Sequence, residues 1–200
     1  TGASDIGDVQ RAVDAILAVN PQLVLMQCNT NYTADPANFD HIHLNVLKTY
    51  HDMYPQLILG LSDHTQGMAT VLGAVALGAR VIEKHFTDDN SREGPDHAFA
   101  MNPESFAQMV TATRQLERAM GSGNKVVAAN EKETVVIQRR CLRAARAIQP
   151  GETLTREMIA VLRPATPGAI MPYEIEAVIG TRVLVPIAAG QELRWTMLGA

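Results

Sequence analysis

Apolar and polar positions fall into blocks along this chain, and the period changes from block to block. From Asp8 to Val19, the apolar residues Val9, Val13, Ile16 and Leu17 recur at helical spacing. Leu23 to Cys28 is an apolar run of the kind expected for a strand buried on both faces. A polar loop, Asn29 to Asn38, follows, and Phe39 to Met53 predicts a second helix. Leu57 to Leu61 predicts a strand, Gly67 to Gly78 a buried helix of small residues, and Arg80 to His85 another strand. A longer loop, Thr87 to Ala100, carries Gly94-Pro95-Asp96-His97. The next helix has a clear start, with Asn102 as N-cap, Pro103 at the first helical position and then Glu104, and it runs to Met120. At the other end, Thr1-Gly2-Ala3-Ser4 leads straight into a helix-start signal at Ser4 or Asp5. Those first residues read as the tail of a strand, so the expectation is the later part of a longer protein.

Strands alternate with helices, none of the strands carries proline, and no hairpin signature occurs, so the pattern predicts an α/β fold with a parallel sheet. A TIM-type (β/α)8 barrel needs about eight such units. Residues 1–121 supply roughly its C-terminal half. Gly121-Ser122-Gly123-Asn124-Lys125 then breaks the pattern. No strand precedes it and no Ser or Thr follows the lysine, so it reads as the start of a linker, 122–134, and not as a phosphate loop. The remainder, 135–200, contains a repeat. Ile148, Gly151, Leu154 and Met158 recur with the same spacing as Ile187, Gly190, Leu193 and Met197. Two copies of a strand end, a glycine turn and one helical turn predict a small, pseudo-symmetric β-rich domain.

Composition narrows the class. With 46% hydrophobic residues but only 4% aromatic, the core must be built from Leu, Ile, Val, Ala and Met. Met26, Met53, Met109 and Met120 are expected to fill gaps in it. A net charge of −4 gives no reason to expect nucleic acid or an anionic membrane as a partner. The basic run Arg139, Arg140, Arg143 and Arg146 lacks interleaved aromatics and reads as a solvated face or domain interface. No apolar run reaches the length of a membrane span, and no signal peptide is visible. Cys28 and Cys141 are the only cysteines, which suggests a reducing, cytoplasmic setting without a disulfide framework.

The chemistry concentrates at two strand ends. Ser62-Asp63-His64-Thr65 closes one strand, and Glu83-Lys84-His85-Phe86 closes the next. In a parallel βαβ unit both histidines emerge at the same sheet edge, which in an α/β barrel is the catalytic one. A lone histidine at a strand end is usually structural. Two at corresponding ends, each beside an acid, can hold a divalent ion and leave positions open for substrate. Asp96 and His97 can reach that edge from the loop after the last strand. Asn29, Thr30, Asn31 and Tyr32 can reach it from the loop after Cys28, although asparagine favours turns in any case. His41, His43 and His51 are expected on exposed helical faces.

These motifs, in this order, resemble the sialic acid synthase family: Gly60-Leu61-Ser62-Asp63-His64-Thr65, then Gly73 to Ala79, then Ile82-Glu83-Lys84-His85-Phe86-Thr87, then Gly94-Pro95-Asp96-His97. Gly151-Glu152-Thr153-Leu154 and Leu162-Arg163-Pro164 extend the resemblance into the family's antifreeze-like (SAF) module. The resemblance implies a (β/α)8 barrel that condenses phosphoenolpyruvate with N-acetylmannosamine or another N-acyl hexosamine, giving a nonulosonic acid and phosphate. It implies that His64 and His85 bind Mn²⁺, with Mg²⁺ or Co²⁺ as alternatives. Ser62 matches a position near phosphoenolpyruvate, Asp96 one that contacts the acceptor sugar, and Thr30 and Tyr32 positions that line the substrate. Arg163 matches an arginine that the SAF module inserts into the partner subunit's barrel, which makes a domain-swapped homodimer.

Two departures touch the substrate-facing loop. After the tyrosine the family often reads Pro-Thr-Pro, whereas this chain has Thr33-Ala34-Asp35-Pro36, and the stretch from Cys28 to His64 is slightly longer. A rival reading from a different class also stands. Modules like residues 135–200 occur in chaperone and surface-binding proteins, so a non-catalytic binding or assembly role is the alternative.

Overall fold

The computed structural model describes residues 1–199. The chain divides into two compact units, Thr1–Ser122 and Gly123–Ala200.

In the first unit, α1 (Ile6–Leu17) starts at Asp5, whose carboxylate accepts from the Asp8 N–H while the Asp8 side chain accepts from the Asp5 N–H. This reciprocal pairing satisfies two otherwise free helix donors. The chain continues through β1 (Val24–Cys28), a 3₁₀ turn at Pro36–His41, α2 (Val46–Met53), β2 (Ile58–Asp63), α3 (Ala69–Ala76), β3 (Val81–Lys84) and α4 (Pro103–Met120). The strands form one parallel sheet in the order β1-β2-β3. Helix α4 begins as the sequence signals require, with Asn102 capping the Ser105 N–H and Pro103 in the first turn.

In-register residues of a parallel sheet share a face, so the register separates two rows. Leu25, Leu59 and Leu61 point to one side and pack with Val9 and Val13 of α1, Leu47 and Tyr50 of α2, and Ala74 of α3. The other side carries Val24, Met26, Ile58, Gly60 and Val81, and there Val24, Ile58 and Val81 are exposed. The expectation that Leu23 to Cys28 is buried on both faces therefore holds for one face only.

The helix expected over Phe39–Met53 is also broken. His43 has φ +50°, outside the helical region, and α2 starts three residues later. The cause is tertiary. The buried Gln27 amide donates to the Ile42 carbonyl (3.0 Å), and the Asn29 amide donates to the His41 carbonyl (3.1 Å). Both carbonyls are thus held by β1 and the residue after it.

The second unit contains α5 (Lys132–Gln138), β4 (Cys141–Ala144), β5 (Ile159–Leu162), α6 (Ile175–Val178), β6 (Arg182–Val183) and β7 (Leu198–Gly199). Its repeat is a structural pseudo-dyad. Ile148 and Ile187 hydrogen-bond each other in both directions (2.9 and 3.0 Å). The Gly151 N–H reaches the Val183 carbonyl as the Gly190 N–H reaches Ala144, both at 2.7 Å. Strands β4 and β5 pair antiparallel, as do β6 and β7. Leu154, Leu193, Ile148 and Ile187 fill the small core between the repeats. Arg143 does not lie on a solvated face. Its guanidinium is largely buried against Glu192 at 2.9 Å.

Candidate active site

Three successive cross-strand positions, or rungs, lie where β2 and β3 end. Ser62 pairs in register with Glu83, and Asp63 with Lys84. His64 and His85 follow one residue further. Alternation places the first and third rungs on one face of the sheet and the second on the other.

On the open face, the Ser62 hydroxyl donates to Glu83 Oε1 at 2.7 Å. Beyond it, the His64 and His85 rings approach to 5.1 Å between centroids, edge to face. His64 is buried, and its Nδ1 lies 2.7 Å from the Asn29 carbonyl. A carbonyl only accepts, so Nδ1 carries the proton, and Nε2 is the ring atom left to act as a ligand. His85 is partly exposed, with Nδ1 3.6 Å from Asp96 Oδ2, a distance longer than a hydrogen bond. Tyr32 covers the pair, with its ring 4.4 Å from His64 and 5.6 Å from His85. The buried ring of Phe99 forms a further wall, 5.0 Å from His85.

The loop that brings Asp96 and Phe99 here is pinned to the sheet. The Met101 N–H donates to the His85 carbonyl (2.8 Å), and the Thr87 N–H donates to the Met101 carbonyl (2.9 Å). His97 pairs through Nδ1 with the Thr87 hydroxyl at 2.7 Å, and its carbonyl accepts from the Asn90 amide at 2.9 Å. His97 therefore anchors the loop, while its neighbour Asp96 faces His85.

On the opposite face, Asp63 and Lys84 form an ion pair at 2.8 Å with side chains essentially out of solvent. The Asp63 carboxylate also accepts from the Thr65 N–H (3.1 Å), the Thr65 hydroxyl (2.9 Å) and the Thr70 hydroxyl of α3 (2.6 Å). Lys84 Nζ donates a second bond to the Thr65 carbonyl at 2.6 Å.

The structure thus gathers His64, His85, Tyr32 and Asp96 at one edge, with Ser62 one rung below. Thr30 is exposed in the loop that leads to Tyr32. Arg163 lies in the second unit, exposed beside Arg140 and Leu162. Among the described residues, no group of three or more His, Cys, Asp or Glu converges to hold a metal. The donors available are two imidazoles, one with its tautomer fixed by the Asn29 carbonyl. That set suits a divalent ion bound with open positions.

Two features escaped sequence reasoning. Phe99 lies in an irregular loop whose course no local signal announces. The Asp63–Lys84 pair was accessible in principle. Each residue immediately precedes a histidine, so a register that pairs the histidines also pairs opposite charges on the far face.

Comparison with known proteins turns on both units. Residues 1–125 match the NeuB family, and residues 139–199 match the SAF domain. The chain belongs to the NeuB family. It is 36% identical over 205 residues to the N,N'-diacetyllegionaminic acid synthase of Legionella pneumophila, covering 100% of this chain and 56% of that protein. It is 31% identical to the human N-acetylneuraminate-9-phosphate synthase, covering 94% of this chain and 51% of the human one. Among solved structures, spore coat polysaccharide biosynthesis protein E of Chromobacterium violaceum aligns with all of this chain and 59% of its own, at 26% identity and a TM-score of 0.67. The chain spans about half the length of the relatives it matches. No helix among the described residues is long and apolar enough to cross a membrane.

Proposed function

We propose that this NeuB-family chain forms the C-terminal part of a synthase that condenses phosphoenolpyruvate with an N-acyl hexosamine, N-acetylmannosamine or a relative, to give a nonulosonic acid and phosphate. The observation that carries the reading is the pair of imidazoles at adjacent parallel strand ends, 5.1 Å apart beneath Tyr32. The names of the relatives supply the product class.

His64 and His85 would hold the divalent ion, with Mn²⁺ the first choice and Mg²⁺ or Co²⁺ the alternatives. When bound, the ion supplies Lewis-acid polarisation of the acceptor's aldehyde oxygen. In the reaction, C3 of phosphoenolpyruvate forms the new bond to the aldehyde carbon, water adds at C2, and phosphate leaves. Ser62 lies on the open face one rung from the histidines and serves the phosphoenolpyruvate side. Its hydroxyl is oriented by Glu83. Asp96, half exposed beside His85, is placed to accept hydrogen bonds from sugar hydroxyls. Tyr32 and Thr30 line the approach, and the Tyr32 ring offers an apolar lid over the reacting atoms. In the same reading, the sheet belongs to a (β/α)8 barrel, the enzyme is cytoplasmic, and Arg163 enters a partner subunit's site in a domain-swapped homodimer.

The test is phosphate release by the intact parent protein supplied with phosphoenolpyruvate and N-acetylmannosamine, with and without Mn²⁺. Release should require both sugar and metal. His64→Ala should lower it by roughly 100-fold or more, because Lewis-acid stabilisation is worth several kcal/mol in the transition state. No release with any N-acyl hexosamine, from folded and metal-loaded protein, would overturn the synthase reading in favour of a binding or assembly role.

A further inference from the structure

The buried Asp63–Lys84 pair has no access to the open face, yet it is wired to the backbone around both histidines. Lys84 immediately precedes His85 in the chain. Its Nζ reaches Asp63 Oδ2 at 2.8 Å and the Thr65 carbonyl at 2.6 Å, the residues on either side of His64. One ammonium, rooted beside one imidazole, therefore grips the chain before and after the other. Asp63 is held in turn by the Thr65 N–H and hydroxyl and by the Thr70 hydroxyl of α3.

Such a pair is not explained by stability alone. Removing two charges from water costs about as much as their attraction returns, and apolar residues of the same volume often stabilise as well. Apolar residues have no direction, however, whereas this ammonium and carboxylate have fixed partners at fixed distances. The two side chains are also withdrawn from solvent. Both side chains are at most 1% exposed, and four donors converge on the Asp63 carboxylate. A buried network so densely bonded rigidifies what it joins.

We propose that Lys84 and Asp63 are positioning residues that hold His64 and His85 at their 5.1 Å separation before any ion arrives, so that the two rings are preorganised as a pair. The consequence for metal affinity rests on the proposed function. The consequence for ring spacing does not.

Mn²⁺ alone is the probe, with the full chain titrated and free ion followed by electron paramagnetic resonance. In parallel, the contact between the two imidazole rings is followed in the apo protein by nuclear Overhauser effects. Lys84→Met keeps the volume and removes both ties. It should weaken Mn²⁺ binding at least tenfold, in the range that orienting partners of metal ligands usually show, and should abolish the ring-to-ring contact. Lys84→Gln, which keeps a donor without the charge, should fall between Lys84→Met and the parent. A folded Lys84→Met protein with unchanged affinity and an intact ring contact would overturn the proposal, whatever its thermal stability. If the parent chain takes up no Mn²⁺, the metal reading fails by itself and the ring contact alone decides the positioning claim. If neither lysine variant folds, Thr70→Val removes a single hydroxyl from Asp63 and is judged by the same contact.

Discussion

At the scale of single residues, Gly60 shows how little room the sheet allows beneath the site. It sits in the middle strand, in register with Met26 on one side and Val81 on the other. A Cβ there would lie 2.6 Å from the Val81 carbonyl oxygen and 2.9 Å from Met26 Cγ. The first contact is with backbone, which cannot swing aside, so Gly60→Ala must spread β2 from β3. Overpacking of this kind costs about 1–3 kcal/mol. Urea unfolding should show that loss with far-UV circular dichroism preserved, and a variant as stable as the parent would mean that the strands separate freely. Ser62 and His64 follow on the same face, so any spreading also shifts the polar rung and one imidazole of the site.

At the scale of elements, legibility depended on whether the signal was local. The second unit's repeat was readable because Ile, Gly, Leu and Met each serve one local role, and the pseudo-dyad uses them twice. The break before α2 was not readable, because it is imposed by Gln27 and Asn29 reaching from β1 and the residue after it. The repeat also hides an asymmetry. Arg143 bridges to Glu192, whereas at the equivalent place in the other half Arg182 bridges to Thr153, with no acid. Glu192 accepts from Arg143, from the Thr166 N–H and hydroxyl, and from Arg194. Burial alone would raise its pKa, but the Thr166 hydrogen bonds and the two arginines together hold it below the ordinary carboxylate range. A lowered folded pKa contributes stability that is present above the unfolded value, about 4.3, and is lost as pH falls through the folded one. The second unit should therefore weaken in acid below about pH 4.3. Glu192→Gln should cost roughly 1–3 kcal/mol at neutral pH and flatten that dependence. Trp195, the only tryptophan of the chain, reports on this unit by fluorescence. An acid transition unchanged in the variant would show that the carboxylate carries none of the effect.

At the scale of the whole molecule, the apolar content of the strands was legible in the sequence, and what covers each face of them was not. A run such as Leu23 to Cys28 records that a strand is apolar on both sides, but it does not say what covers each side. Helices α1 to α3 cover one face. On the other, Val24, Ile58 and Val81 stand 38%, 51% and 37% exposed, in neighbouring rows of one sheet. Scattered apolar residues on a surface are ordinary, but a contiguous patch on a sheet with unpaired edges invites association. The 200-residue chain by itself should therefore bind the dye ANS through its first unit, and at micromolar concentration it should elute as species larger than its 21.7 kDa. Ile58→Ser, which makes the most exposed of the three polar without touching the helix-facing core, should reduce both dye binding and apparent size. Ile58 lies at the end of β2 away from His64, so Mn²⁺ uptake should be unaffected by the same change. A chain that runs as a monomer and binds no dye would mean that these side chains are too sparse to act as a patch. In that case, the open face of this chain would not drive self-association.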